Sequence, residues 1–234
     1  MPDIGDSPWD YPMYTAAEAA RFVGLSSGRV RRWIKGYSYK YEKSENVFEV
    51  KHQKPVIKRS APPDSCYASF VDLIDLLFVK RFLNYGLSLQ KVRAALVEAT
   101  KILGTNHFAR ESFFTDGRNI YLEVKDSGDA ILELLSGGQW VISSVIRQLS
   151  HQIDFDQPCG VARRWYPLGK DGLIVLDPAI SFGRPIIKKK NITTLNVYDF
   201  FKGENEDINR VSKWMNISER EVKAAIQFEQ QLAA

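Results

Sequence analysis

"GLSSGRVRRWIKG", residues 24–36, decides how the N-terminal half of the chain is read. Glycine tolerates the left-handed backbone that ends a helix, Leu25 can plug the angle between two helices, and Ser26 can cap the next one. From Ser27 to Lys35 the bulky apolar residues are Val30, Trp33 and Ile34, and the cations are Arg29, Arg31, Arg32 and Lys35. At about 100° per residue the three apolar side chains form one arc centred on Val30. Arg31, Arg32 and Lys35 fall on the opposite arc with Gly28 among them, and Arg29 lies on a flank. The spacing therefore predicts a helix over 27–35 that buries its apolar side and shows its cations. Thr15 can cap a preceding helix through Val23, with Ala16, Ala19, Ala20 and Val23 inward. Two helices joined this way make a helix-turn-helix, whose second helix offers donors to phosphates and base edges. A solvated basic surface helix is the bland alternative, but no carboxylate lies within helical reach of these cations.

The same turn recurs at Gly86-Leu87-Ser88 and at Asn216-Ile217-Ser218, where Glu221 adds a capping box. Each copy alone could join any two core helices. Three copies favour helix-turn-helix units.

Residues 37–60 alternate polar with aromatic or branched side chains around a turn at Glu45-Asn46, which predicts a β-hairpin or wing. Val47, Glu49 and Lys51 would face one side, Phe48 and Val50 the other. Lys40, Lys43 and Lys51 are placed to reach backbone phosphates, or simply to keep an edge hairpin soluble. Between 28 and 60 the chain has ten Lys/Arg against three Glu, a net +7 in a chain of +4 overall, which leaves −3 elsewhere. A basic segment on a slightly acidic body suits a phosphate-binding module. Helical periodicity returns after Phe70. Leu89, Val92, Leu96, Ala99 and Leu103 repeat at heptad spacing, which fits core packing and a dimer seam equally.

With 234 residues, 44 % hydrophobic and 26 % charged, the chain can fill two small domains. No apolar run approaches the roughly 20 residues of a membrane span, no secretory signal is visible, and two distant cysteines, Cys66 and Cys159, suit reduced thiols. A cytoplasmic protein is expected, without membrane contact. His52, His107 and His151 lack metal-site spacing, and no phosphate loop or dinucleotide fingerprint is present. Asp154, Asp156, Asp171 and Asp177 sit at predicted strand ends beside Pro and Gly, where Asp is ordinary turn chemistry. No metal, no cofactor and no enzymatic activity are expected.

Residues 12 to about 104 resemble the MerR-type helix-turn-helix family. "YTAAEAARFVGLSSGRVRRW", the wing-like segment and "FVDLIDLLFVKRFLNYGLSLQKVRAAL" carry the likeness, and Arg31 and Trp33 match the family's arginine–aromatic pair with Arg32 between them. The expected contacts to double-stranded operator DNA are Ser27, Arg29, Arg31, Arg32, Lys35, Lys40 and Lys43, presented by a homodimer. A MerR activator would continue into a long coiled coil. This chain turns β-rich after Gly104, so ligand-switched activation is not implied.

Residues 105–176 read as mixed structure: a hairpin at Asp116-Gly117, a helix over 140–149, then strands at "HQIDF", "VARRWYP" and "LIVLDP". From Asp177 the chain resembles the small C-terminal domain of VapB-like antitoxins, which neutralise PIN-like ribonucleases. Asp177-Pro178, Phe182-Gly183 and Pro185-Ile186 match that family's extended arm, and helices are predicted near 195–202, 207–215 and 218–230. The family's usual Gly-Thr-Arg is replaced by Lys189-Lys190-Asn191. With "LLSGGQWV" and "RRWYPLG", the likeness covers most of the chain, in the order of longer antitoxins with a MerR-like head. It implies a type II antitoxin that represses its own operon. Arg184, Lys188, Lys189 and Lys190 would meet the toxin's acidic, metal-holding pocket, unless they are only a soluble basic loop. The last helix offers Glu219, Arg220, Lys223 and Gln227, mixed in sign, which suits protein contact better than DNA. The expected fold class is α+β, mostly helical: a MerR-like winged helix-turn-helix over 12–104, a mixed middle over 105–176 and a three-helix, helix-turn-helix-like domain over 177–234. The alternative is a MerR-like regulator without a toxin.

Overall fold

Thr15 opens the first long element. Its hydroxyl accepts from the Glu18 amide at 3.1 Å, and the Glu18 carboxylate accepts from the Thr15 amide at 2.9 Å. This reciprocal pair satisfies two amides that a helix start leaves without partners. The computed structural model describes residues 9–44, 46–57, 59, 65–103, 107–109, 148–149, 151–156 and 160–233. The expected hairpin at Asp116-Gly117, "LLSGGQWV", most of the 140–149 helix and Cys159 lie outside them. The chain divides into two compact units, residues 1–146 and 147–234.

In the first unit the order is β1 (Tyr14–Thr15), α1 (Ala16–Val23), α2 (Ser27–Lys35), β2 (Tyr37–Ser44), β3 (Val47–Gln53), β4 (Tyr67–Ala68), α3 (Phe70–Asn84) and α4 (Leu89–Leu103). β1 and β4 form a two-residue antiparallel ladder that brings the start of α1 to the start of α3. α3 is buried almost all round, which makes it the centre of the core. Phe78 and Phe82 on α3 both contact Phe108, with ring centroids 5.6 and 5.5 Å away. Of the heptad-spaced residues on α4, Val92 and Leu96 are buried and Leu89 is half-buried.

Two buried polar pairs brace this core. Arg59 donates to Asp72 at 3.2 Å and to the Ser65 carbonyl at 3.0 Å, with both charged side chains almost fully enclosed. Asp75 holds His107 Nδ1 at 2.6 Å and the Ala109 amide at 3.0 Å. Buried charges persist only when paired in this way.

The second unit is built on an antiparallel sheet of β5 (Ile153–Phe155), β6 (Ala162–Trp165), β7 (Ile174–Leu176) and β8 (Pro185–Ile187), in that order. Three helices follow: α5 (Thr194–Gly203), α6 (Ile208–Met215) and α7 (Glu219–Ala233). Alternation divides the strands between two faces. Ile174 and Ile187, a cross-strand pair, pack with Val197, Phe201, Val211, Val222 and Ile226 of the helices. Val175 and Ile186, the next pair, join Tyr166 on the other face. The sheet spans Asp177, where a domain boundary was expected, and it takes in the expected arm as β8. Pro185, Ile186 and Ile187 run in register along Leu176, Val175 and Ile174 and are all buried, while the Ile187 amide donates away from β7, to the Ile192 carbonyl at 2.8 Å.

Candidate nucleic-acid interface

The turn ahead of α2 follows one geometry in all three places where the sequence repeats it. Gly24, Gly86 and Asn216 have φ of 64°, 88° and 53°. The next residue's amide then reaches back five residues: Leu25 to Ala20 O at 2.8 Å, Leu87 to Phe82 O at 3.1 Å, Ile217 to Ser212 O at 3.2 Å. This is the hydrogen bond of a Schellman cap. Ser26, Ser88 and Ser218 each accept from an amide three residues on, at 3.3 Å in every case. The lysine of α3 adds a fourth element at the first turn: Lys80 Nζ donates to the Val23 carbonyl at 2.7 Å. Burial there, and then Arg81 nearby, lower the Lys80 pKa.

α2 leaves this turn with Val30, Trp33 and Ile34 buried and Arg29, Arg31, Arg32 and Lys35 exposed. Ser27, the first helical residue, is half-buried. No acidic residue stands in the first turn of α2, so the positive end of its dipole is open to an anion. Among the described residues, Arg29 and Arg31 have no salt-bridge partner, and Arg32 lies over the Tyr37 ring at 5.8 Å instead of on a carboxylate. Arg29, Arg31 and Arg32 therefore stand on an outer face without a carboxylate partner among the described residues.

The hairpin is fastened to this helix. The Trp33 carbonyl, near the end of α2, accepts from both Val56 and Ile57 amides at 2.8 and 3.2 Å, closing the chain beyond β3 onto it. Register then sorts the hairpin side chains. Tyr37 pairs with Gln53, Tyr39 with Lys51 and Tyr41 with Glu49, all on one face. Ser38 with His52, Lys40 with Val50 and Glu42 with Phe48 take the other. Alternation puts Lys43 on the tyrosine face too, where it pairs with Glu49, and the register shifts between Glu42 and Ser44. Tyr41 also donates to Glu49 at 2.8 Å, and these bonds, Lys43 first, hold the Glu49 pKa below the usual carboxylate value.

Of the residues expected to meet DNA, Ser27, Arg29, Arg31, Arg32 and Lys35 stand together on α2. Lys40 lies on the hairpin face opposite Lys43 and Lys51, and Lys43 is engaged by Glu49. Arg59, counted in the basic segment, is an internal strut and contributes nothing to an outer surface. The tyrosine face was missed, although its signal, Tyr at 37, 39 and 41, stands in the sequence with period two.

In the second unit the four expected toxin-facing cations separate. Lys188 donates to the Lys170 carbonyl at 2.7 Å and lies over the Tyr166 ring at 5.3 Å; Lys190 reaches the Asn216 carbonyl at 3.4 Å. Arg184 and Lys189 are exposed and have no such bond among the described residues. Three of the four aspartates expected at strand ends are tied to cations: Asp154 to Lys170 at 2.7 Å, Asp156 to Arg163 at 3.5 Å and Asp177 to Arg164 at 2.6 Å. Tyr166, donating to Asp154, has its hydroxyl pKa pushed up to about 12, by burial first and by that carboxylate second. Among the described residues no group of three or more metal-ligating side chains forms, and no helix is long and apolar enough to cross a membrane.

Residues 12–96 match the family model described as "Putative DNA-binding HTH domain". That match runs from just ahead of β1 through α1, the turn, α2 and the hairpin into α4. Over 86 residues the chain is 35 % identical to HTH-type transcriptional regulators of Mycobacterium bovis and Mycobacterium tuberculosis, a stretch that covers 35 % of this chain and 37 % of theirs. Over 200 residues it is 25 % identical to the protein named "Putative antitoxin VapB45" of Mycobacterium tuberculosis, covering 81 % of this chain and 82 % of that one. The crystal structure of Rv2018 from Mycobacterium tuberculosis shares the fold, with a TM-score of 0.70 at 19 % identity over 93 % of this chain and 98 % of that one. The relatives found by sequence are named as regulators or an antitoxin.

Proposed function

We propose that the chain is a type II antitoxin that acts as a homodimer, binds operator DNA through α2 and neutralises a PIN-like ribonuclease through its C-terminal unit. The observation that carries the DNA half is the cationic face of α2, where Arg29, Arg31 and Arg32 have no carboxylate partner among the described residues. Such a face gains affinity by releasing counterions from phosphates. With Ser27 and Lys35 it forms the duplex-facing set, and blocking an upstream operator represses the operon. Support for the toxin half comes from the likeness to the VapB45 antitoxin, which spans most of both chains. The cations left available for a metal-holding acidic pocket are Arg184 and Lys189. A cation there competes with the catalytic metal and keeps RNA out.

The purified chain is expected to shift DNA from its own upstream region, with affinity falling steeply as salt rises. Arg31→Ala with Arg32→Ala should abolish the shift while the circular dichroism spectrum is kept. Unchanged binding by that variant refutes the role given to α2. Co-expression should restore growth of cells poisoned by a PIN-like nuclease of the same operon, and Arg184→Glu with Lys189→Glu should lose the rescue but keep DNA binding. Similarity to transcription regulators in one 86-residue stretch favours a second reading, a regulator without a toxin; a failed rescue by the unaltered chain selects it.

A further inference from the structure

The hairpin has two unlike faces, and only one of them continues the cationic surface of α2. Tyr37, Tyr39 and Tyr41 are 41, 38 and 38 % exposed and touch in series, with ring centroids 5.9 and 6.4 Å apart. The Arg32 guanidinium lies over the first ring, so the row begins on the recognition helix itself. Its far end is closed: the Tyr41 hydroxyl and the Lys43 ammonium are both spent on the Glu49 carboxylate, which Lys43 neutralises. Between those ends the Tyr37 and Tyr39 hydroxyls and the Lys51 ammonium have no hydrogen-bond or ion-pair partner among the described residues. The opposite face offers Phe48 and Val50, 63 and 53 % exposed, and a Ser38–His52 pair whose 2.7 Å bond is internal.

We infer that Tyr37, Tyr39 and Lys51 form a phosphate-contacting track that extends the Arg32 contact along one strand of duplex DNA, and that the Phe48–Val50 face points away from it. This rests on the DNA-binding reading of α2 and adds which side of the wing meets the backbone. The chemistry matches. Two phenolic hydroxyls and one ammonium donate, phosphate oxygens accept, and no carboxylate on that stretch repels them. Tilted ring-to-ring contact limits the rotamers of the rings, which reduces the side-chain freedom to be lost on binding. Attachment of the Trp33 carbonyl to the Val56 and Ile57 amides holds the track in a constant relation to α2.

The test measures binding of the full chain to a labelled mixed-sequence duplex of about two helical turns, at several salt concentrations. Tyr37→Phe and Tyr39→Phe keep the rings and remove only the hydroxyls; each should weaken binding about three- to tenfold. Lys51→Ala should flatten the log–log salt slope by about 0.9, the share of one phosphate. Phe48→Ser and Val50→Ser, on the other face, should stay within about twofold of the unaltered chain. Phenylalanine variants that bind like the unaltered chain, or serine variants that bind worse than they do, overturn the track. Arg31→Ala with Arg32→Ala separates the two claims. If that variant loses binding while the hydroxyls prove silent, only the track falls. If the unaltered chain binds no duplex, or the arginines are also silent, the reading of α2 falls and takes the track with it.

Discussion

Gly36 and Gln53 stand so close that a methyl group on Gly36 would overlap the Gln53 carbonyl oxygen. Gly36 also has a φ of 76°, a value costly for any residue with a β-carbon. The residue that ends α2 is therefore also where the far end of the hairpin is received. Gly36→Ala combines a backbone conformation open essentially to glycine alone with a backbone clash, and we expect a loss of at least about 1–3 kcal/mol from the strain alone. Urea unfolding would measure it, and duplex binding by the surviving folded protein should fall. A variant as stable as the parent would show that the contact is dispensable.

The three repeated turns differ in what surrounds them, which separates backbone strain from packing. A β-carbon at Gly86 would meet no atom within 4 Å, so Gly86→Ala should cost only the left-handed penalty, about 1–2 kcal/mol. Gly24→Ala should cost more, because the added carbon would meet Lys80 Nζ at 2.8 Å and disturb its bond to Val23. Asn216→Gly should be nearly neutral or slightly stabilising. Chemical denaturation of the three variants gives the ranking; equal losses at Gly24 and Gly86 would count against a capping role for Lys80.

His107 supplies a pH dependence whose sign is determined. Burial lowers its pKa, but the charge and hydrogen bond of Asp75, with Asp72 and Asp10 adding, raise it overall above its ordinary value of about 6.5. The charged form is favoured in the fold, so this stabilisation is complete below the unfolded value and is lost as pH rises through the folded one. Asp75, raised by burial, contributes with the same sign. The gap in melting temperature between the parent and His107→Gln should narrow as pH rises from about 6 to about 9. A gap that does not change with pH would refute an ionised pair.

Asp177 is almost fully buried, accepts from Arg164 at 2.6 Å and from the Ala179 amide at 3.0 Å, and has both oxygens occupied. Asp177→Ala should destabilise the second unit by about 1–3 kcal/mol by leaving these donors unmatched. Magnesium or calcium should not shift the melting temperature of the parent. A metal-dependent rise would show that this carboxylate binds ions.

The α1–turn–α2 segment was legible to the residue because each boundary has a local cause: Thr15, Gly24, Ser26 and the apolar arc of Val30, Trp33 and Ile34 are all within a few positions of what they control. The hairpin followed from alternation, though the register shift between Glu42 and Ser44 did not. Contacts between distant positions stayed hidden. Nothing near Arg59 in sequence announces Asp72 as its partner, and His107 is 32 positions from Asp75. Pro185–Ile187 was read as an extended arm. Extension was visible in the residues, but hydrogen bonding to Ile174–Leu176 depends on a pairing that no short window contains.

Strand β8 has a thermodynamic consequence. Arg184 and Lys189 flank a segment whose backbone is already paired, so a protein that docks on them meets a surface formed in advance. Such an encounter incurs no ordering entropy in this segment, and its calorimetric heat-capacity change would scale with the area covered rather than with any coil-to-strand transition.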